Sequence, residues 1–143
     1  MTKILVLISA VIFFTACTVK TTEKLTDVRH PYGVFIGAEK EKLLSLNNYD
    51  VLVIDAELLT ENIDVIHQNG NNEIYSYLNI GSVEDFRSYY EEFLPFTIGE
   101  YEDWDNEKWI DVSSEKWQTH IVEAADELVD KGVSGLFGGN TDV

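Results

Sequence analysis

Short apolar runs alternate with amphipathic stretches along most of the chain. Five runs are rich in β-branched and aliphatic residues, which predicts strands. The predicted strands cover 33–37, 51–55, 74–80, 109–112 and 133–137. The uninterrupted run at 51–54 is typical of a strand that is buried on both faces, as in a parallel sheet.

Helical periodicity occupies the segments between these strands. The clearest case is 115–131, where apolar residues recur on one face, a serine at 113 or 114 can cap the start, and Gly132 follows the end. Shorter helices are predicted over 39–46, over 61–69 with Thr60 as N-cap, and over 83–92 with Ser82 as N-cap. Repeated strand–helix units predict an α/β fold.

The spacing of these units limits the architecture. The predicted strands begin about 25 residues apart, so the eight units of a (β/α)8 barrel would need about 200 residues. The 143 residues are therefore expected to form either a small open α/β sheet or about the first four to five βα units of a barrel. The turn after the first strand lacks a G-x-G-x-x-G loop, and the chain contains no G-x-x-x-x-G-K-[S/T] motif. Nucleotide binding has no support, and no cofactor is predicted.

The first 31 residues differ in pattern from the rest. The apolar run 4–14 follows a lysine and is shorter than the about 20 residues of a spanning helix, but it is typical of a signal peptide. Small residues then precede Cys17, as in a bacterial lipobox, although Phe14 stands where leucine is usual. An ordinary signal peptide with a chance cysteine is the alternative. We predict a signal peptide over 1–16, a lipidated Cys17 with a polar tether over 17–31, and one domain over 32–143.

The net charge of the chain and its predicted export limit the classes of partner that it can bind. With 26 acidic and 10 basic residues the net charge is −16, which argues against a nucleic-acid partner because phosphates require a basic surface. The three histidines and the single cysteine lack metal-ligand spacing, so no metal site is predicted. The lipid anchor is expected to hold the protein to a membrane, on the cell surface or the periplasmic side, and to be its only membrane contact.

Polar residues end or follow several predicted strands. Asp55 ends the second, Asn79 lies near the end of the third, Asp111 lies in the fourth, and Asn140 and Asp142 follow the fifth. The carboxyl ends of the strands carry the functional groups of (β/α)8 enzymes. Aspartate and asparagine also cap helices and build turns there, which explains any one of them alone. The set together indicates a site for a hydroxyl-rich ligand.

Three segments resemble glycoside-hydrolase family 114. They are YSYLNIGSVEDFRSYY at 75–90, the WIDV run at 109–112 with Trp117, and KGVSGLFGGNTDV at 131–143. The family consists of TIM barrels related to endo-α-1,4-polygalactosaminidase and is often exported. The resemblance covers about residues 32–143 and implies a partial barrel that acts on an α-1,4-linked, cationic galactosamine-type polysaccharide. Its matched segments and the strand ends together name Asp142 as the catalytic candidate, and as substrate-binding candidates Asp55, Asn79, Glu84, Arg87, Asp111 and Asn140.

The resemblance includes one departure. The family's fifth strand segment ends in Asp-Asn-x-Asp, and here Gly139 replaces the first aspartate while Asn140 and Asp142 match the rest. The family's second catalytic carboxylate, a glutamate, comes from a later strand. Glycosidases use two carboxylates that flank the scissile bond, so this chain is expected to have no useful hydrolytic activity.

Three interpretations stay open at this point. The chain is a truncated member of the hydrolase family, a non-catalytic glycan-binding protein, or a surface lipoprotein with a structural role. The second interpretation relies on Asp55, Asn79, Glu84 and the aromatic residues. In any of them a half barrel has unpaired strand edges, which predicts self-association.

Overall fold

The structure, a computed structural model, describes residues 28–60, 63–102 and 104–141. The predicted signal peptide, Cys17, most of the predicted tether and Asp142 lie outside the described residues. No helix in the described ranges combines the length and the apolar composition that crossing a bilayer requires.

Seven strands and four α-helices follow one another within these ranges. The strands are β1 His30–Phe35, β2 Tyr49–Ile54, β3 Glu73–Asn79, β4 Ser82–Glu84, β5 Thr97–Glu100, β6 Glu107–Ile110 and β7 Gly135–Gly139. The helices are α1 Lys40–Ser45, α2 Asp64–Gln68, α3 Tyr90–Phe93 and α4 Glu115–Asp130. Short 3-10 turns cover Ala56–Leu58 and Leu94–Phe96.

Four of the strands form one parallel sheet in the order β1-β2-β3-β7. Helix α1 connects β1 to β2, α2 connects β2 to β3, and α4 leads into β7. This is the repeated strand–helix arrangement that the sequence predicts, with four parallel strands rather than five.

The fourth predicted strand, at 109–112, does not belong to the parallel sheet. The run at 109–112 contributes to β6, which pairs antiparallel with β4 and β5 in a separate three-stranded side sheet. The predicted helix over 83–92 is also wrong at its start, because Val83 lies in β4 and the α-helix is confined to α3. Val83 and Ile110 of the side sheet pack against Trp117 of α4, and this burial stabilises strands where the local pattern favours a helix.

The other helices lie where the periodicity predicts them. Helix α4 starts at Glu115 as predicted, and Gly132 follows its C-cap with φ of 97°, a left-handed conformation that favours glycine. Helix α2 is shorter than predicted and has Ile63 rather than Thr60 at its N-cap. Strand β1 begins at His30, two residues before the predicted domain boundary.

The main hydrophobic core lies between the parallel sheet and the helices. Leu52 and Ile54 of β2 and Ile74 and Leu78 of β3 point into it, together with Leu128 of α4. Since successive side chains of a strand point to opposite faces, Val53 and Tyr77 lie on the other face of the sheet, which in a closed barrel would be the interior. That face and the side sheet meet at the carboxyl ends of the parallel strands, where the polar residues collect.

Candidate active site

Arg87 is the centre of a buried charge cluster at the carboxyl end of β2. Its side chain is 2% exposed and contacts three carboxylates. Nη2 donates to Asp55 Oδ2 at 2.7 Å, Nε donates to Glu84 Oε2 at 2.7 Å, and Nη1 lies 3.0 Å from Glu57 Oε2. Asp55 ends β2, Glu84 ends β4, and Arg87 follows three residues later on the turn after β4, so the cluster joins the two sheets.

The cluster places three carboxylates around one guanidinium. Burial raises the pKa of Glu84 above its ordinary value even though Arg87 acts in the opposite direction, and the nearby Glu107 and Asp55 raise it further. Burial likewise raises the pKa of Glu57. Burial alone would lower the pKa of Arg87, but its bonds to Asp55 and the neighbouring carboxylates raise it instead, so the guanidinium stays charged. The guanidinium of Arg87 therefore holds the three carboxyl groups in position. Its single positive charge cannot neutralise all three if they are ionised.

A second polar network adjoins the first at the ends of β3 and β7. Ser82 Oγ donates to Glu107 Oε2 at 2.7 Å, and Asn140 Nδ2 lies 3.1 Å from the same oxygen. Asn79 Nδ2 donates to Ser82 Oγ at 2.8 Å, and Asn140 Nδ2 contacts Asn79 Oδ1 at 3.2 Å. Asn140 has φ of 54°, the left-handed region that asparagine tolerates better than most residues, and its side-chain amide contacts Glu107.

The two networks meet at a pair of glutamates. Glu84 and Glu107 are directly opposite in the antiparallel pairing of β4 with β6, and they are only 7% and 8% exposed. Glu84 is bound by Arg87. Among the described residues, the carboxyl group of Glu107 accepts hydrogen bonds from the neutral side chains of Ser82 and Asn140, and no lysine or arginine forms an ion pair with it. Of these two carboxyl groups, only Glu84 is therefore bonded to the guanidinium of Arg87.

A cleft of about 350 Å³ opens above this pair. Its polar lining includes Glu84, Glu107, Asn140 and the side chain of Tyr77. Two aromatic rings stand at its side, Phe86 at 54% exposed and Trp104 at 58% exposed. Exposed rings beside buried carboxylates make a surface that can hold a ligand with both apolar and polar faces.

A scan against family models matches the chain over residues 24–143 to the glycoside-hydrolase family GH114. The chain belongs to this family. No curated protein matches it at a significant level. The GH114 assignment confirms the resemblance on which the sequence prediction rests.

Solved structures confirm the GH114 fold. The glycoside hydrolase domain of PelA from Pseudomonas aeruginosa superposes with a TM-score of 0.65 at 22% identity, over 78% of this chain and 45% of that one. The complex of Aspergillus fumigatus Ega3 with galactosamine superposes with a TM-score of 0.62 at 20% identity, over 80% of this chain and 44% of that one. The chain therefore spans slightly less than half the length of these neighbours, and its four-stranded parallel sheet is a partial TIM barrel.

The structure brings five of the predicted substrate-binding residues together. Glu84 and Asn140 line the cleft, and Asn79 contacts Asn140. Asp55 and Arg87 are buried beside Glu84. Asp55 and Arg87 do not line this cleft, and Arg87 forms ion pairs with both Asp55 and Glu84.

Asp111 is placed differently, and it is not among the cleft-lining residues. Its Oδ1 accepts hydrogen bonds from the backbone N and the Oγ of Ser113, which lowers its pKa and shapes the turn before α4. This is the turn-building role that the sequence offers as the alternative for a strand-end aspartate. The catalytic candidate Asp142 lies outside the described residues.

Glu107 and Ser82 are part of the site but are missing from the sequence prediction. Glu107 begins an antiparallel strand, so a search for polar residues at the ends of parallel strands passes over it. Ser82 looks like a helix N-cap because acidic residues follow it. Extending the strand prediction at 109–112 by two residues toward the N-terminus would have put Glu107 and Trp109 on one face.

Proposed function

We propose that this chain forms the substrate cleft of a GH114 domain and binds a galactosamine-type polysaccharide. The observation that carries the proposal is the cleft itself, where the buried pair Glu84 and Glu107 lies beside the exposed rings of Phe86 and Trp104. The carbon-bound hydrogens of a pyranose can pack on an aromatic face, while its hydroxyl and amino groups reach the carboxylates.

The charge of the cleft favours a cationic sugar. Glu107 has no basic partner among the described residues, and the whole chain carries a net charge of −16. Free amino groups of a galactosamine polymer are protonated at neutral pH, and a negative field raises their local concentration. The neighbour Ega3 was solved with galactosamine, which supports this ligand class.

We also propose that this stretch of chain does not hydrolyse the polymer by itself. Position 139, where the family resemblance implies an aspartate, is Gly139, and glycine cannot transfer a proton. Each general acid or base contributes about 10²–10⁴-fold to a rate. Turnover of a partly deacetylated galactosamine polymer is expected near background, measured as new reducing ends. Clear turnover that is lost in Asp142→Asn would contradict this and assign Asp142 the catalytic role.

Binding is tested with the same polymer and a fully N-acetylated one. Wild type is expected to bind the partly deacetylated polymer more tightly, and added salt should reduce the difference.

Trp104→Ala should weaken binding by about three- to tenfold, because the stacking surface is lost. Tyr32→Ala is the control, since Tyr32 is an exposed aromatic residue on β1 that does not line the cleft. Absence of binding to either polymer would contradict the proposed function.

The non-catalytic interpretation is the second candidate, and the Gly139 substitution favours it. Tight binding without turnover by a polypeptide extended through the remaining barrel strands would support it. Turnover by that extended polypeptide would support the hydrolase interpretation instead.

For localisation we propose export and lipidation at Cys17, as the run 4–14 followed by small residues predicts. Cells expressing the full chain should incorporate a fatty-acid probe into the wild-type protein. Equal labelling of Cys17→Ser would refute lipidation at this residue.

A further inference from the structure

Tyr77 lies across a glycine on the neighbouring strand. An ideal Cβ on Gly139 would lie 2.2 Å from Cε2 and 2.8 Å from Oη of Tyr77. The ring therefore occupies the space that any side chain at position 139 would need. Tyr75 covers Gly135, its direct register partner in the β3–β7 pair, with a closest distance of 2.6 Å.

The hydroxyl of Tyr77 is open to the cleft. The residue as a whole is 8% exposed and lines the cleft. Its Oη forms no hydrogen bond with a described residue, and since it is not among the buried unpaired atoms, it stays open to the cleft. The nearby carboxylates are turned to other donors, since Glu84 accepts from Arg87 and Glu107 accepts from Ser82 and Asn140. The ring is buried while the hydroxyl stays open to the cleft, so an oxygen of a bound ligand can take up its unused hydrogen-bonding capacity.

The surroundings also fix its protonation state. Burial raises the pKa of Tyr77 well above that of a free phenol, and the charges of Glu84 and Glu107 raise it further. Tyr77 therefore presents an O–H group, which can donate a hydrogen bond to a hydroxyl or ring oxygen of a ligand.

We propose that Tyr77 is a ligand-binding residue of the cleft, which donates a hydrogen bond to an oxygen of the bound sugar, and that Gly139 is required to seat it. This inference rests on the proposed function, because the ligand is the galactosamine-type sugar assigned to the cleft. It gives Gly139 a positive role, since the absence of a side chain is what allows the phenol to reach the ligand.

The test measures the affinity for galactosamine oligosaccharides by calorimetry. Tyr77→Phe keeps the ring over Gly139 and removes only the hydroxyl, so affinity should fall about three- to tenfold while the unfolding midpoint stays close to wild type. Tyr75→Phe is the matched control, because Tyr75 packs on Gly135 but does not line the cleft, and it should bind as wild type does. Gly139→Ala should also weaken binding, because the added Cβ displaces the ring.

Monodeoxy ligands separate a direct contact from a structural effect. For the analogue that lacks the accepting oxygen, wild type and Tyr77→Phe should bind equally, whereas every other analogue should keep the difference. Equal affinity of wild type and Tyr77→Phe for the complete oligosaccharide would overturn the inference and leave the proposed function intact. Failure of wild type to bind any of the oligosaccharides would overturn both.

Discussion

Arg87 is the residue on which most of the buried charge depends. Its guanidinium is the partner of the nearly fully buried Asp55 and of Glu84, so its removal leaves uncompensated charges in the interior. Breaking such a pair costs about 3–5 kcal/mol. We predict that Arg87→Met lowers the free energy of unfolding by this amount. Arg87→Lys keeps the charge but not the contact with all three carboxylates, so its free energy of unfolding should lie between those of Arg87→Met and wild type. Denaturant unfolding measures both.

Arg29 provides the matched control for Arg87. It pairs with Asp50 on the surface, where both side chains are nearly half exposed. Surface pairs contribute about 0–1 kcal/mol, so Arg29→Met should change the unfolding free energy by no more than that. An equal effect of the two Met variants would contradict the assignment of Arg87 as the buried centre of the site.

Single residues also show what sequence reasoning could reach at the site. Asp55, Asn79 and Glu84 were predictable, because the strand-end rule or the family segment identifies each of them without coordinates. Tyr77 could not be singled out among the aromatic residues, because its role depends on the contact of its ring with Gly139 on the distant strand β7. Contacts of this kind follow from register, which the local pattern does not contain.

At the scale of elements, α4 packs against α3 through a half-buried histidine. His120 packs with a tilted ring against Tyr89 at 4.2 Å and Phe93 at 4.8 Å between ring centroids, and its buried Nε2 has no hydrogen-bond partner among the described residues. Burial lowers the pKa of His120 below its ordinary value, although Glu123, Glu92 and Glu127 act in the opposite direction. The folded state therefore favours the neutral ring.

This burial predicts a pH-dependent stability. The unfolded chain takes up a proton near pH 6.5, whereas folded His120 does so only at lower pH. The stability due to the neutral ring is therefore fully present above about pH 6.5 and is lost as the pH falls through the lower pKa of the folded state. Between about pH 7 and pH 5.5, His120→Phe should lose less unfolding free energy than wild type, measured in urea. Equal pH slopes for the two proteins would contradict the prediction.

The elements differ in how well the sequence predicts them. Strand β2 was predictable because both of its faces are apolar, and α4 because its length and its terminal glycine agree. Strand β4 was not predictable, because its sequence matches the start of a helix. Its conformation depends instead on tertiary contacts of its side chains. Val83 is buried against α4, and Glu84 is bound by Arg87.

At the scale of the whole molecule, the parallel sheet has two open edges within the described residues. Strands β1 and β7 each have one neighbour, and a closed barrel would pair them with further strands. The interior face is also open at these edges, where Tyr32 is 71%, Val34 is 52% and Phe137 is 46% exposed. Unpaired edges next to exposed apolar side chains are a template for association with another chain.

We therefore predict that a polypeptide of residues 28–143, made on its own, self-associates through these edges. Analytical ultracentrifugation should show a sedimentation coefficient that rises with concentration. Val34→Lys or Phe137→Lys should shift the polypeptide toward monomer, because a lysine at an edge strand opposes pairing. Val122→Lys is the matched control, since Val122 is 61% exposed on α4, away from both edges, and the change should leave association as in wild type. A strictly monomeric wild-type polypeptide with a single cooperative unfolding transition would contradict the prediction, because the four-stranded sheet would then be stable without closure.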